Sequence, residues 1–136
     1  MKVLLDTNVI SEQTKPRPNP ALINWIKSQP ATEAFISVLT LGEIHRGLEK
    51  LPRGPRRANL EAWLEDTIRE FSGRLLVVDA RVAETWGKLD AAAAKTMAPI
   101  DRLLAATALA HNLALVTRNI RHFAHANVRV INPWEE

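Results

Sequence analysis

The sequence contains no cysteine and no long run of apolar residues. The absence of cysteine excludes disulfides, thiol catalysis and thiolate metal sites, so any metal site must use oxygen or imidazole ligands. No segment approaches the roughly 18 consecutive apolar residues of a membrane-spanning helix, and the N-terminal apolar run is too short for a signal peptide. We therefore expect one soluble, cytoplasmic domain over residues 1–136, since a second hydrophobic core would be hard to fit in this length.

The chain also lacks a strong excess of either charge. Eighteen lysines and arginines face 15 acidic residues, which gives a formal net charge of +3. This small excess permits a nucleic-acid partner but does not require one.

Short apolar segments alternate with amphipathic helical patterns along the chain. The pattern predicts an α/β domain with a mainly parallel, five-stranded sheet. The third strand is apolar throughout, as expected for a strand that is buried on both faces. The predicted strands are residues 2–5, 34–38, 75–78, 114–116 and 128–131.

Helix start signals follow several of these strands. A short helix is predicted from about Thr7, and Asn19 with Pro20 forms a typical cap and first turn. The next helix is predicted from Thr40, with an apolar stripe along it. Asp79 is expected to cap a later helix.

Three carboxylates are predicted to meet at one rim of the sheet. Asp6 directly follows the first strand, whereas Glu43 and Asp101 are each expected in the first turn of a helix. Sites in open parallel sheets form beyond the carboxyl ends of the strands. Converging carboxylates repel one another, so such a cluster typically holds a hard cation such as Mg²⁺ or Mn²⁺.

Each carboxylate also has a purely structural explanation. Asp6 is suited to cap the helix that follows it, and Asp101 is suited to complement the dipole of its own helix. Glu43 lies off the apolar stripe, where an ordinary surface glutamate also lies. Taken singly, none of the three establishes a site.

Four segments occur in order along the chain: LLDTNVIS, SVLTLGEIHRGL, PIDRLLAATALAHNLALVTRN and RHF. Together they resemble the PIN-domain ribonucleases, specifically the VapC/FitB type of toxin from bacterial type II toxin–antitoxin pairs. The resemblance covers essentially the whole chain. It implies a three-layer α/β/α fold with a mainly parallel sheet and a metal-dependent endoribonuclease activity.

The resemblance also assigns roles to individual residues. Asp6, Glu43 and Asp101 match the family's catalytic and metal-binding acids, with Mg²⁺ or Mn²⁺ as the implied cofactor. Further polar residues match positions that support these acids, namely Thr7, Asn8, Thr117 and Asn119.

The chain departs from the family pattern after the fourth strand. Many members carry a fourth acid there, at one of the positions that Asn119 and His122 occupy here. Three carboxylates balance one divalent ion better than two, so we expect one firmly held ion and a second site that is weak or filled only with substrate.

Basic residues adjoin the expected site. Arg118, Arg121 and His122 directly follow the fourth strand and are candidates for contacts to RNA phosphates. A second basic run, over residues 50–57, is better explained as a solvated helix face. The resemblance further implies a small antitoxin as partner and a homodimer.

Three other readings compete with this one. A receiver domain needs a second acid beside Asp6, and a phosphatase with an Asp-x-Asp pair needs an acid where Asn8 stands. The more credible alternative is a catalytically weakened PIN domain that binds RNA or a protein without cutting.

Overall fold

The computed structural model describes residues 1–89 and 95–135. Its five strands form one sheet in the order β3-β2-β1-β4-β5, and every neighbouring pair is parallel. This confirms the predicted parallel sheet of five strands. The strands are β1 (Val3–Leu5), β2 (Ala34–Ser37), β3 (Leu75–Leu76), β4 (Ala114–Val116) and β5 (Val130–Ile131).

Six α-helices lie within the described part of the chain, between and after these strands. Asn19 caps the second of them through its side chain, and Asp79 caps the fifth, as predicted. The helices are α1 (Thr7–Glu12), α2 (Pro20–Ser28), α3 (Val38–Glu49), α4 (Pro55–Glu70), α5 (Ala80–Gly87) and α6 (Pro99–Ala110).

The sheet separates two hydrophobic cores, because successive side chains of a strand point to opposite faces. Val3 and Leu5 of β1 belong to the core that α1 to α4 cover. Leu4 belongs to the core on the other face, together with Leu104 and Ala108 of α6. Helices on both faces of a parallel sheet make three layers, which confirms the expected α/β/α fold.

The strand order reverses between β1 and β4. The chain leaves β1 toward β2 on one side, and β4 lies on the other side and is followed by β5. Ligand crevices of open α/β sheets form at this reversal, beyond the carboxyl ends of the strands. Asp6 follows β1 and Thr117 follows β4, and the Asp6 backbone N–H bonds Val116 O at 2.9 Å.

The helix α3 begins earlier than predicted. It starts at Val38 rather than at Thr40, because the Ser37 side chain accepts a hydrogen bond of 3.0 Å from Leu39 N and caps the helix there. Residue 38 is therefore helical rather than the end of β2. As a result, Glu43 lies beyond the first turn of α3, contrary to the prediction.

The two outer strands are shorter than predicted. Val77 and Val78 lie outside β3 and expose 55% and 39% of their surface, so the third strand is not buried on both faces. The physical reason is its position, since β3 is an edge strand with one neighbour. The fifth strand begins at Val130 instead of residue 128.

Candidate active site

Asp6 is the most deeply enclosed acid at the strand reversal, with 7% of its surface exposed. Its Oδ1 accepts a hydrogen bond of 2.7 Å from Thr7 N, so it does cap α1, as its structural explanation requires. Its Oδ2 faces the other way and accepts a bond of 2.7 Å from Thr117 Oγ1. Asn8 Nδ2 lies 3.4 Å from the same oxygen. The carboxylate therefore caps a helix and also reaches the neighbouring strand end.

Burial raises the pKa of Asp6 above its usual value, and the nearby negative charge of Asp101 adds to this. The hydrogen bonds from Thr117 and Thr7 and the proximity of His122 act in the opposite direction, but burial outweighs them. The protein environment therefore favours the neutral form of Asp6 more than water does.

Glu43 reaches the site from α3 through a single hydroxyl. Thr7 Oγ1 donates a hydrogen bond of 2.5 Å to Glu43 Oε1 and also lies 3.2 Å from Thr40 Oγ1. Thr7 therefore links the first helix to the third. Glu43 is exposed, so this contact, rather than burial, orients its carboxylate.

Asp101 lies in the first turn of α6, as predicted. Burial raises the pKa of Asp101, and the charge of Glu43 raises it further. His122 opposes this shift, because its Nδ1 lies 3.4 Å from Asp101 Oδ2. The charge of Asp101 acts on Asp6 and the charge of Glu43 acts on Asp101, so each acid lies within electrostatic reach of another.

Thr117 and Asn8 connect the two loops of the crevice. The Thr117 hydroxyl accepts hydrogen bonds from Asn8 Nδ2 at 3.3 Å and from Asn119 N at 3.0 Å. Asn8 Oδ1 in turn accepts a bond of 3.3 Å from Arg118 N. Thr7, Asn8 and Thr117 thus contact the acids directly, whereas Asn119 contacts the site through its backbone.

The donor set fits a hard divalent cation. Within residues 1–89 and 95–135, no three acidic or histidine side chains lie close enough together to hold a metal as they stand. Burial raises the pKa values of both Asp6 and Asp101; the charge of Asp101 raises that of Asp6 further, and the charge of Glu43 raises that of Asp101. A bound cation would supply the missing positive charge, and carboxylate oxygen is the ligand that Mg²⁺ and Mn²⁺ prefer.

Glu12 is a buried acid that sequence reasoning missed. Its side chain is 8% exposed and pairs with Lys15 Nζ at 2.8 Å, while its Oε2 accepts a hydrogen bond of 2.9 Å from Asn19 N. These contacts lower its pKa below the usual value, the bond with Lys15 most of all. The spacing of Glu12 and Lys15, three residues apart, was the available signal. Glu12 joins the end of α1 to the start of α2 and has a structural role.

The two basic runs differ in their surroundings. Arg57, in the first run, bonds Leu51 O at 3.2 Å and Glu49 Oε1 at 3.0 Å, so it secures the chain between α3 and α4. In the second run, Arg118 lies over the ring of Trp134, 5.9 Å from its centroid. Arg121 and His122 lie in the short 3₁₀ helix Ile120–Phe123 that follows β4.

A cavity near the acids is lined in part by residues after β5 that were not predicted from the sequence. Asn132 and Glu135 line a cavity together with Arg118, Arg121 and His122. The signal was available, because residues after the carboxyl end of a parallel strand are the expected place for a site.

Comparison with known proteins gives matches to one protein family over nearly the whole chain. A family model described as PIN domain matches residues 3–128. The chain is 36% identical to Toxin FitB of Neisseria gonorrhoeae over 138 residues, covering 98% of this chain and 99% of that protein. It is also 36% identical to VapC ribonuclease Y4jK of Sinorhizobium fredii over 137 residues, covering 98% of each.

A solved structure shows the same agreement in three dimensions. The crystal structure of FitAcB from Neisseria gonorrhoeae matches with a TM-score of 0.90 at 36% identity, covering 98% of this chain and 99% of that one. The fold, the sequence matches and the family model agree with the family predicted from the four segments. The chain belongs to the PIN domain family.

Proposed function

We propose that the protein is a metal-dependent endoribonuclease that acts as the toxin of a type II toxin–antitoxin pair. The observation that carries this proposal is the acidic rim at the strand reversal, where buried Asp6 lies near Asp101 and Glu43. The names of two relatives, Toxin FitB and VapC ribonuclease Y4jK, support the same activity. Mg²⁺ or Mn²⁺ is the proposed cofactor, held by these three carboxylates.

The chemistry follows from the arrangement of the side chains. A divalent ion at the rim would lower the pKa of water and stabilise the charge that develops on the phosphate. Thr117 and Thr7 orient Asp6 and Glu43 through their hydroxyls. With water as the nucleophile and the 3′ oxygen as the leaving group, the P–O3′ bond breaks and hydrolysis leaves a 5′-phosphate and a 3′-hydroxyl.

RNA is the proposed substrate because positive charge adjoins the acidic rim. Arg118, Arg121 and His122 lie directly after β4, and His122 contacts Asp101. Side chains of this kind bind phosphates without reading the sequence. We infer that they bind the phosphate backbone of an RNA strand beside the three acids.

A small antitoxin is the proposed partner. A chain that cuts cellular RNA in the cytoplasm must be restrained, and the relative named Toxin FitB supports such a pairing. Homodimer formation and a single-domain organisation over residues 1–136 are part of the same proposal. No helix within the described residues is long and apolar enough to span a membrane.

A cleavage assay tests the activity. The purified protein is incubated with structured RNAs and Mg²⁺ or Mn²⁺, beside Asp6→Asn, Asp101→Asn and the matched surface variant Asp66→Asn. We expect cleavage by the wild type and by Asp66→Asn, none by the two site variants, and none in EDTA. Cleavage that survives in both site variants, or in EDTA, rejects the proposal. Absent cleavage with intact RNA binding would instead support a weakened PIN domain.

A growth assay tests the toxin role. Expression of the wild type is expected to arrest growth, and co-expression of the small protein encoded beside it is expected to relieve the arrest. Cells that express Asp101→Asn at the same protein level are expected to grow normally. Growth arrest by this variant would show that toxicity does not come from the proposed site.

A further inference from the structure

The crevice has a second compartment beside the acidic rim. It is a cavity of about 420 Å³ beyond the carboxyl ends of β4 and β5, which we call the β4–β5 pocket. Its lining combines Arg118, Arg121 and His122, which follow β4, with Asn132 and Glu135, which follow β5. We propose that the β4–β5 pocket binds one nucleotide of a single-stranded RNA next to the scissile phosphate, and this rests on the proposed nuclease function.

The pocket adjoins the acidic rim directly. His122 lines the pocket, and its Nδ1 lies 3.4 Å from Asp101 Oδ2. Arg118 also lines it, and its backbone N–H bonds the side chain of Asn8, which in turn approaches Asp6. When the scissile phosphate of an RNA strand lies at the three acids, the neighbouring nucleotide therefore lies at the β4–β5 pocket.

The lining residues that follow β4 suit a phosphate. Arg121 is exposed and forms no ion pair with any acid among the described residues, so its guanidinium is available to a ligand. Arg118 is held over the Trp134 ring at 5.9 Å, which restricts where its guanidinium can lie. A guanidinium can bind a phosphate through two parallel hydrogen bonds.

The lining residues that follow β5 suit the edge of a base. Asn132 Oδ1 accepts a hydrogen bond of 2.9 Å from Trp134 N, which fixes the side-chain amide and leaves its NH₂ group as a donor. Glu135 contributes a carboxylate, which only accepts hydrogen bonds and repels phosphate. Asn132 and Glu135 therefore suit a polyphosphate poorly. A base with an exocyclic amino group suits them better, because the amino group donates a hydrogen bond to the Glu135 carboxylate.

Different residues of the pocket therefore bind the phosphate and the base. Arg121 takes the phosphate that links the bound nucleotide to the next one, and Glu135 faces the base. This makes Glu135 a residue that determines specificity, outside the acidic rim. Adenosine, cytidine and guanosine carry the amino group, whereas uridine offers only its N3–H, which lies between two carbonyl oxygens that repel a carboxylate.

The experiment measures binding without cleavage. A short fluorescein-labelled single-stranded RNA is titrated with protein in EDTA over a range of salt concentrations, and binding is followed by fluorescence anisotropy. Arg121→Ala is expected to weaken binding about fivefold, the loss of one surface charge pair. It is also expected to reduce the slope of log K against log salt by about 0.7, the value for one phosphate on a single strand.

Arg129→Ala is the matched control. It removes the same charge from the opposite end of β5, where Arg129 lies outside the β4–β5 pocket. We expect wild-type binding and an unchanged salt slope. Equal losses in Arg121→Ala and Arg129→Ala would show that the protein attracts RNA only by its overall charge, and would overturn the proposal.

Base recognition is tested by competition with the four nucleoside 3′,5′-bisphosphates. In the wild type, uridine bisphosphate is expected to compete about fivefold less well than the other three, the effect of one hydrogen bond. Glu135→Ala is expected to bind uridine bisphosphate about as well as the other three, because the carboxylate that discriminates against it is removed. Equal competition by all four in the wild type would contradict the role of Glu135.

These outcomes separate the pocket from the nuclease activity. The binding measurements contain no metal and no cleavage step. A protein that fails to cut RNA but loses salt dependence in Arg121→Ala retains the pocket and lacks the proposed activity. A protein that cuts RNA but binds it equally well after Arg121→Ala retains the activity and refutes the pocket.

Discussion

Thr117 donates a hydrogen bond of 2.7 Å to Asp6, although the two residues are 111 positions apart in the chain. The two follow neighbouring parallel strands, β1 and β4, which brings their side chains together at the strand reversal. Asp6 is buried, so the Thr117 hydroxyl is one of few donors that can compensate its charge. The orientation of the first acid thus depends on a residue from the far end of the sequence.

Replacing Thr117 by valine is expected to impair the site without unfolding the protein. Valine has a similar shape but no hydroxyl, so Asp6 loses the donor that orients its Oδ2. Loss of a residue that supports a metal ligand typically costs about 10–100-fold in metal affinity or activity. Calorimetric titration of Mn²⁺ and RNA cleavage by the same preparation measure both quantities.

The matched control is Thr107→Val. Thr107 is also fully buried, but its hydroxyl bonds Leu103 O within α6, away from the acids. We expect this variant to bind Mn²⁺ like the wild type. If both valine variants lose affinity equally, the effect comes from the protein interior rather than from the bond to Asp6.

Much of this architecture could be predicted from the sequence because its signals are local. The apolar strands, the caps at Asn19 and Asp79 and the position of Asp101 in a first turn all depend on residues that are close in the chain. The start of α3 was missed because Ser37 lies in an apolar run and caps the helix from within the predicted strand.

The contacts between distant segments could not be predicted in the same way. The bonds from Thr7 to Glu43 and from Thr117 to Asp6 depend on the order of the strands, which the apolar pattern does not specify. The exposure of Val77 follows from the edge position of β3, and a run of four apolar residues gives no indication of an edge. The positions of the acids after strand ends and near helix starts predicted that they meet, but their hydrogen-bond partners could be identified only from the fold.

Thr7→Val is expected to release Glu43 from its position. Glu43 is exposed and the Thr7 hydroxyl is the hydrogen-bond donor to its carboxylate, so the side chain would sample several rotamers without it. We expect kcat to fall about tenfold or more, because the acid would be misplaced for part of the time. Steady-state kinetics on a defined RNA separates kcat from KM.

Thr7→Ser tests whether the hydroxyl carries this effect. Serine keeps the donor and lacks only the methyl group, so most of the activity is expected to return. Low activity in both variants would assign the loss to packing between α1 and α3 rather than to the bond with Glu43.

Asp6→Asn is expected to stabilise the metal-free protein while removing metal binding. The pKa of Asp6 is raised by burial, so the folded state favours its neutral form. Ionised Asp6 therefore lowers stability above its usual pKa, and this cost disappears as pH falls through the raised pKa. The neutral amide avoids this cost at pH 7, so the variant in EDTA is expected to unfold at a higher urea concentration than the wild type.

Added Mn²⁺ should reverse the difference in stability, so that the wild type becomes more stable than Asp6→Asn. A ligand at 100 times its Kd stabilises the state that binds it by about 2.7 kcal/mol. The wild type is expected to gain this from Mn²⁺, and Asp6→Asn is expected to gain little. A variant that is less stable than the wild type in EDTA would mean that the hydrogen bonds to Asp6 outweigh the cost of burying its charge.

Glu12→Gln is expected to remove a stabilising contribution that depends on pH. Bonds from Lys15 and Asn19 lower the pKa of Glu12 in the folded state, so the folded protein favours the ionised form. This stabilising contribution is present above the pKa of Glu12 in the unfolded state. It is lost as the pH falls through the lowered pKa of Glu12 in the folded state. The variant should be about 1–2 kcal/mol less stable at pH 7, because hydrogen bonds to a charged group weaken. The difference from the wild type should then shrink as the pH is lowered below 4.5, the ordinary pKa.

Urea unfolding at a series of pH values measures this difference, with Glu65→Gln as the control. Glu65 is an exposed glutamate in α4, so the same change of charge there is expected to alter stability little at any pH. Mn²⁺ binding by Glu12→Gln at neutral pH should match that of the wild type, because Glu12 joins α1 to α2 and does not contact the three acids. A constant stability difference at all pH values would assign the effect to packing, since only a titrating carboxylate makes it depend on pH.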